Sequence, residues 1–396
     1  MPVLSDICYY FKGKTLVAEL NSKNYISTEN MLPNKGGICD ASALPNAVYT
    51  QAFEEDDILV SNIRPYFKKI WRASFSGGCS NDVLVFRANE KCVSEFLYYI
   101  LSDNEFFNYS MGTSKGTKMP RGDKQSIMRY EIGEYSIDIQ KKIASILSSI
   151  DEKIRANQEI NKNLEEQIKI LCKAWLVDFI PFDRIQPEAW STRHFSDIAE
   201  FIGGYSYKGN ELVPSSQAMA TIKNFDRNGG FKLDGYKEII PSSKLKDVQH
   251  VELYDTLVAH TDLTQNAEVI GNAEPVLSLS GYDDIVFSMD LVKVLPKNGI
   301  SKFLIAALLQ DGRFKAHALG YVNGTTVLHL SKKALPDYEL LLPDDLSVLS
   351  PLTEAIERLY RMIATNIDEM SRLSQLRDEL LPRLMSGEID VSEVEI

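Results

Sequence analysis

The sequence predicts an α+β chain: two β-rich globular domains joined and separated by two long helices that pair antiparallel, with a pseudo-two-fold relation between the halves. Three observations predict it. The chain repeats itself in order, each repeat holds a stretch of short β-like runs, and each repeat closes on a long glycine-free segment with heptad spacing.

The repeat is read from short matches. Leu4-Ser5-Asp6-Ile7 resembles Phe195-Ser196-Asp197-Ile198, 191 positions later. Asp57-Ile58-Leu59-Val60 resembles Asp255-Thr256-Leu257-Val258 at a separation of 198. Gly112 and Gly116-Thr117 match Gly320 and Gly324-Thr325 at 208, and Ile150-Asp151-Glu152 matches Ile367-Asp368-Glu369 at 217. The order is kept and the separation only grows, as in a duplicated unit whose second copy gained small insertions.

Runs such as Asp57 to Ser61, Asp82 to Arg87, Asp255 to His260 and Asp284 to Leu295 read as strands, broken by Gly, Pro, Asn and Asp. Ser136 to Leu176 and Leu346 to Met385 read as helices of about 40 residues, roughly 60 Å long. Their seams step by four and three: Ile139, Ile143, Ile146, Ile150, Lys153, Asn157, Ile160, Leu164, Gln167 and Leu171 in the first, and Leu352, Ile356, Leu359, Ile363, Asn366, Met370 and Leu373 in the second. Pro351 suits a first turn, Gly387 a stop, and Pro181 closes the first helical region. Pro382 is expected to bend the last turns. The expected division is a domain over 1–134, a helical region over 135–180, a linker over 181–188, a domain over 189–345, a helical region over 346–387 and a tail over 388–396.

Composition narrows the setting. The chain has 396 residues, 44% of them hydrophobic, as in ordinary soluble multi-domain proteins. It has no run of about 18 apolar residues and no basic segment before an apolar stretch at Met1 to Phe11, so no membrane span and no secretory signal are expected. Five scattered cysteines without a C-x-x-C pair fit reduced thiols in a cytoplasm. The net charge of −12 opposes unaided nucleic-acid binding unless the 43 basic residues cluster. A domain at each end of paired antiparallel helices makes a dumbbell with two similar surfaces tens of ångströms apart. Two DNA half-sites about one turn, roughly 34 Å, apart suit such a ruler.

The string Ala174-Trp175-Leu176-Val177-Asp178-Phe179-Ile180-Pro181-Phe182 resembles the A-W-F-V-D-F-E-P-F signature that closes the first conserved helix of Type I restriction–modification specificity subunits. Leu376 to Glu388 resembles the end of their second conserved helix, and Asp57 to Trp71 with Met119 to Lys124 resembles a pattern of their target-recognition domains. Ile180 stands where an acid is usual. The second domain lacks the R-P-Y-F-K-K string and has Ala259 to Thr264 instead, which implies two different sequences read and an asymmetric target. The resemblance implies a sequence-specific DNA-binding subunit that recognises a bipartite duplex, one half-site per domain. It further implies two bound methyltransferase subunits, an added restriction subunit with ATP-driven translocation, and N6-adenine methylation within the half-sites.

Contact candidates follow from side-chain chemistry, since Lys and Arg neutralise phosphates and Arg also grips guanine edges. In the first domain they are Ser61, Asn62, Arg64, Tyr66, Lys68, Lys69 and Arg72, then Lys115, Lys118, Arg121 and Lys124 in a Gly-rich loop. In the second they are thinner: Lys208, Lys223, Asn224, Arg227, Asn228, then His260 and Thr261, then Arg313 and Lys315 flanking the matching Gly loop. For these, a solvated polar surface weighs about evenly with contact. No Walker loop, H-E-x-x-H, G-x-S-x-G or G-x-G-x-x-G occurs, and the five histidines show no ligand spacing, so no catalytic, metal or cofactor site is read. The competing readings are a coiled-coil scaffold whose β-rich domains bind protein, and a nuclease of a fused system.

Overall fold

In each β-rich unit the central strand begins at a buried aspartate, and the rest of the unit is hung from that strand. The structure is a computed structural model that describes all residues except Thr117, Gln265, Glu395 and Ile396. Contacts divide the chain into Met1–Lys153 with Leu373–Ile396, and Ile154–Arg372.

The first unit holds β1 (Cys8–Tyr10), β2 (Lys14–Leu16), β3 (Tyr25–Ile26), β4 (Tyr49–Phe53), β5 (Ile58–Ser61), β6 (Ile70–Arg72), β7 (Gly77–Cys79) and β8 (Val83–Ala88). They form two sheets, ordered β1-β8-β5-β6 and β2-β4-β7-β3. Every residue of β5 is buried, which is why it reads as an unbroken apolar run rather than an alternation. Helices α1 (Ser94–Ser102) and α2 (Asn104–Gly112) follow, then the short α3 (Lys124–Ile127) and the long α4 (Ile137–Leu176). Asp103 caps α2 by accepting from the Glu105 N–H.

The second unit holds β9 (Trp190–His194), α5 (Phe195–Ile198), β10 (Ala199–Gly203), β11 (Gln217–Ala220), β12 (Lys237–Glu238), β13 (Thr256–Ala259), β14 (Thr261–Asp262), β15 (Ala273–Pro275), β16 (Asp284–Phe287) and β17 (Leu291–Pro296). Then come α6 (Lys302–Leu309), α7 (Gly312–Leu319), β18 (Val322–Asn323), β19 (Leu328–Leu330), β20 (Glu339–Pro343) and α8 (Ser350–Met385). Its main sheet is ordered β10-β17-β13-β15, the order of β1-β8-β5-β6 in the first unit.

The duplication extends to strand register. Cys8 faces Ala88 and Ala199 faces Pro296; Ile58 faces Phe86 and Thr256 faces Val294; Ile58 faces Arg72 and Thr256 faces Pro275. Because a one-residue slip would turn every side chain to the other face, matched registers mean matched cores. The lead-in matches too. Asp57 accepts from the Glu54 N–H at 2.8 Å, and Asp255 from the Glu252 N–H at 3.0 Å. The preceding residues, Asp56 and Tyr254, are both left-handed, with φ of 71° and 70°.

One expected strand proves to be two. Asp284 to Leu295 breaks at Ser288–Asp290, and its halves, β16 and β17, lie in different sheets. Both halves are apolar, so hydrophobicity alone does not reveal the break.

The long helices end close to the expected positions, α8 running through Pro382 and Gly387 taking a positive φ of 76°. The seam of α4 needs correction. Ile143, Ile150, Asn157 and Leu164 are buried as expected, but the alternate positions are Leu147, Ile154, Asn161 and Ile168 rather than Ile146, Lys153, Ile160 and Gln167. Lys153 and Gln167 are exposed, and Ile160 is 43% exposed. The observed alternate positions hold three apolar residues and Asn161, against two apolar residues, Lys153 and Gln167 in the expected frame, so the apolar content itself favours the observed stripe. In the first unit Ile143, Ala144 and Leu147 share a core with Leu381 and Leu384; in the second, Leu164, Ile168 and Cys172 share one with Leu352, Ile356, Tyr360 and Ile363. Ascending numbers on α4 meet descending numbers on α8, so within each unit the two helices run antiparallel.

Glu274 in the second unit is buried at 6% exposure and accepts from the Gly230 N–H (2.7 Å) and the Gln310 amide (2.8 Å). Burial pushes its carboxyl up to about 7. The folded state therefore binds a proton that the unfolded state has lost, and stability falls as pH rises from about 4.5 through about 7. In urea unfolding, wild type is expected to lose stability relative to Glu274→Gln between pH 5 and pH 8, by up to about 3 kcal/mol. Parallel pH profiles for the two proteins would rule this out.

Candidate nucleic-acid interface

Beyond the central strand, each unit carries the chain onto a short surface strip. In the first unit Ile63 pairs with Arg121, and Arg121 pairs with Lys115. In the second Thr261 pairs with His329, and His329 pairs with Asn323, as the three-stranded sheet β14-β19-β18. The strips occupy equivalent places, offset by the same separations that relate the strands, 198 on one side and 208 on the other. A further pairing repeats: the Asn62 N–H donates to the Asp82 carbonyl, and the His260 N–H to the Asp290 carbonyl.

The first strip therefore joins two clusters that are far apart in sequence. The Arg64 N–H donates to the Pro120 carbonyl at 2.8 Å, tying the Arg-Pro turn to the Gly-rich loop. Arg64 and Lys68, both left-handed with φ of 51°, bracket a single 3-10 turn at Pro65–Phe67. That turn presents Tyr66 and Phe67 to solvent at 49% and 38% exposure. Lys115, Lys118, Arg121 and Lys124 are exposed, while Thr117 lies outside the described residues. Lys115 pairs with Asp123 at 3.0 Å and Arg121 with Asp82 at 3.1 Å. These exposed pairs are weak and can yield to a phosphate. The Ser126 N–H and then Lys115 pull the Asp123 carboxyl down to about 2.

Other sequence candidates are engaged inside the fold. Ser61 is buried and donates to the Ile63 carbonyl. Asn62 is 6% exposed, with its Oδ1 beneath Gly122, where an added Cβ would stand 3.0 Å away. Arg72 is clamped by Asp56 at 2.8 Å and Glu95 at 2.9 Å. Lys68 donates to Asn104 Oδ1 at 2.8 Å, and Lys69 to the Thr28 carbonyl at 2.6 Å, where burial lowers its pKa.

In the second unit Asn224 is fully buried, accepting from the Thr221 N–H and donating to the Lys232 carbonyl. Thr261 is 9% exposed and donates to Asp290. Arg313 folds back on Asp311, the cap of α7. Lys315 donates to the carbonyls of Ala267, Glu268 and Ile270 and to Asn272 Oδ1, and burial lowers its pKa against the pull of Asp262. Asp262 holds the same segment from the other side, accepting from the Thr264, Val269 and Ile270 N–H groups. Lys315 is thus a strut of the loop after β14. Lys208, Lys223, Arg227 and Asn228 remain exposed. Lys223, Arg227 and Lys232 stand with Asp262, Leu263 and Thr264 around an open cavity of about 350 Å³. His260 is half-buried; burial first, then His329 and Lys332, hold it below the ordinary imidazole range, against the pull of Asp290.

Residues 3–166, the whole first β-rich stretch and much of α4, match the family described as the Type I restriction modification DNA specificity domain. Over 92% of its length the chain is 26% identical to the HindI specificity subunit of Haemophilus influenzae, covering 94% of that protein. It is 24% identical to the MjaIX specificity subunit of Methanocaldococcus jannaschii, over 76% of this chain and 70% of that one. The fold resembles the crystal structure of the Type I S subunit from M. genitalium, with a TM-score of 0.56 at 14% identity, across 97% of this chain and 95% of that one. The match to the Type I restriction modification DNA specificity domain thus falls on the first β-rich stretch, and the likeness to whole specificity subunits extends over both. Among the described residues no helix is long and apolar enough to cross a membrane.

Sequence reasoning passed over Asn323 and His329, which the structure places on the second strip. Their signal was present in the Gly320 and Gly324 match: extending it by a few residues aligns Lys115 with Asn323 and Arg121 with His329. The placement of Lys315 has a direct check. Lys315→Met is expected to lower the melting temperature by several degrees, since carbonyls lose a buried donor. It should leave the salt dependence of DNA binding unchanged, and a shallower salt slope would return Lys315 to the surface contacts.

Proposed function

We propose that this chain is a Type I specificity subunit that recognises an asymmetric bipartite duplex target, one half-site by each β-rich unit, and scaffolds two methyltransferase subunits to which a restriction subunit is added. The observation that supports this is the pair of equivalent strips, identical in strand register and different in side chains. Two copies of one frame suit two half-sites, and different side chains suit different bases. In the first unit Arg64, Tyr66, Lys115, Lys118, Arg121 and Lys124 form the contact set, while Lys68 and Lys69 are held to Asn104 and Thr28. In the second, Lys208, Lys223, Arg227, Asn228 and His260 form it. Arg72, Asn224, Arg313 and Lys315 serve the fold. The net charge of −12 makes DNA binding by the isolated chain weak and leaves partner subunits to supply further positive surface. The cytoplasm is where such a complex would work.

The test is a map of N6-methyladenine in cells that express the chain with its methyltransferase subunits. A split motif of two unlike halves is expected. Exchanging residues 1–134 for the equivalent stretch of another specificity subunit should change one half only. A continuous motif, or both halves changing together, would sink the reading. A scaffold that binds only protein would give no motif that follows the exchanged residues. Inserting one heptad into both α4 and α8 is expected to lengthen the unread spacer while leaving both halves intact, as read by the same map.

A further inference from the structure

We infer that the two strips divide the work of recognition: the first holds DNA through permanent charge, while the second reads bases through the polar pair Asn323 and His329. The inference rests on the bipartite reading above and names the residues that carry its second half.

The argument starts from equivalence of place. Lys115, Arg121 and Lys124 have as counterparts Asn323, His329 and Lys332, by the separation that also relates β8 to β17 and α2 to α7. Arg64 has as its counterpart Asp262, which is turned inward to bind three N–H groups of its own loop. Lys118 has Thr326. The same backbone frame thus presents a row of cations in one unit and, apart from Lys332, a row of neutral polar groups in the other. Asn323 and His329 are both exposed and face each other across the β18–β19 pair.

Chemistry follows from that difference. Lys and Arg displace counterions from the backbone, and each phosphate neutralised steepens the fall of log K with log salt by about 0.9. An amide and an imidazole both donate and accept. They suit the paired donor and acceptor edges that bases show in the major groove, and release few counterions. The second unit keeps cations, but elsewhere: Lys223, Arg227 and Lys232 lie across the 350 Å³ cavity from the loop that continues β14. Its phosphate anchors and its base-reading pair are therefore on separate segments, whereas the first unit gathers its cations on one strip.

The experiment uses the full chain with its methyltransferase subunits, at pH 8, above the range where imidazoles ordinarily titrate. The probe is a fluorescein-labelled duplex carrying the mapped methylation target, with companion duplexes in which one half is shuffled. Lys115→Ala with Arg121→Ala is expected to reduce the salt slope by about 1.8. Asn323→Ala with His329→Ala is expected to leave the slope unchanged and to cut the preference for the correct second half at least roughly ten-fold, with the first half still discriminated. Both positions are exposed, so the fold should tolerate the change; thermal melting of the complex checks this, and Asn323→Gln is expected to restore part of the preference. A double variant that keeps its second-half preference, or that flattens the slope as much as the first double variant does, overturns the inference. A wild-type complex that fails to tell the target from a shuffled duplex sinks the bipartite reading itself.

Discussion

The aspartate at the head of the central strand is the constraint on which each unit depends. Asp57 is 1% exposed, and Arg87 meets both of its oxygens, at 2.7 and 2.8 Å. Asp255 is 2% exposed, with Lys302 at 2.7 Å and Lys293 at 3.5 Å. A buried carboxylate without such a partner would carry an uncompensated charge, so the cation is obligatory. The same side chain also accepts a backbone N–H three residues upstream, which closes the turn into the strand and fixes where the strand begins. Arg87 lies on β8, so in the first unit one ion pair ties the start of the central strand to its neighbour. The second unit makes that tie through Lys293 on β17 and adds Lys302 from the start of α6. The acid is kept and the cation moves, as expected if the turn, rather than the pair's own energy, is what is needed.

From that fixed start, strand length decides where the surface strips fall. β5 and β13 each run four residues before the chain leaves the sheet, and the next residues pair with the loop after the second short helix. Sheet register is therefore carried outward to the positions that would meet a ligand. A buried frame so closely repeated leaves only the outermost side chains free to differ. At those positions the two halves differ in chemistry, cation against amide at Lys115 and Asn323, and guanidinium against imidazole at Arg121 and His329.

Much of this was legible in the sequence because it is local. The Asp-Ile-Leu-Val and Asp-Thr-Leu-Val runs gave both central strands, and glycine-free heptads gave both helices. What was not legible depends on distant partners. Asn62 looks like a reader of bases until Gly122 covers it, and Lys315 looks like a surface cation until four acceptors from the segment Ala267–Asn272 surround it. Arg72 is bound by acids from β5's lead-in and from α1, neither adjacent in sequence. Conversely, Ile63 and Arg121 are 58 positions apart, and only their pairing shows that two basic clusters make one strip.

The helical seams show how polar residues specify what apolar ones leave open. Within the second unit Asn157 donates to Glu369 at 2.7 Å, and Asn161 accepts from Asn366 at 2.7 Å; within the first, Asp151 meets Arg377 at 2.8 Å. An apolar heptad seam can slide by seven residues and still bury its stripe, so apolar contacts alone leave the register degenerate. The polar pairs remove that freedom. A one-heptad slip in either direction would place Asn157 against Met362 or Leu376, Asn161 against Leu359 or Leu373, and Asp151 against Met370 or Leu384. Every alternative leaves the buried amides of Asn157 and Asn161 facing hydrocarbon, at about 1–3 kcal/mol each, and costs the half-buried Asp151 its ion pair. Two of the three pairs lie on residues that the expected seam passed over, Asn161 and Asp151. The feature that selects one register among several is therefore written in the residues that most weaken the heptad signal.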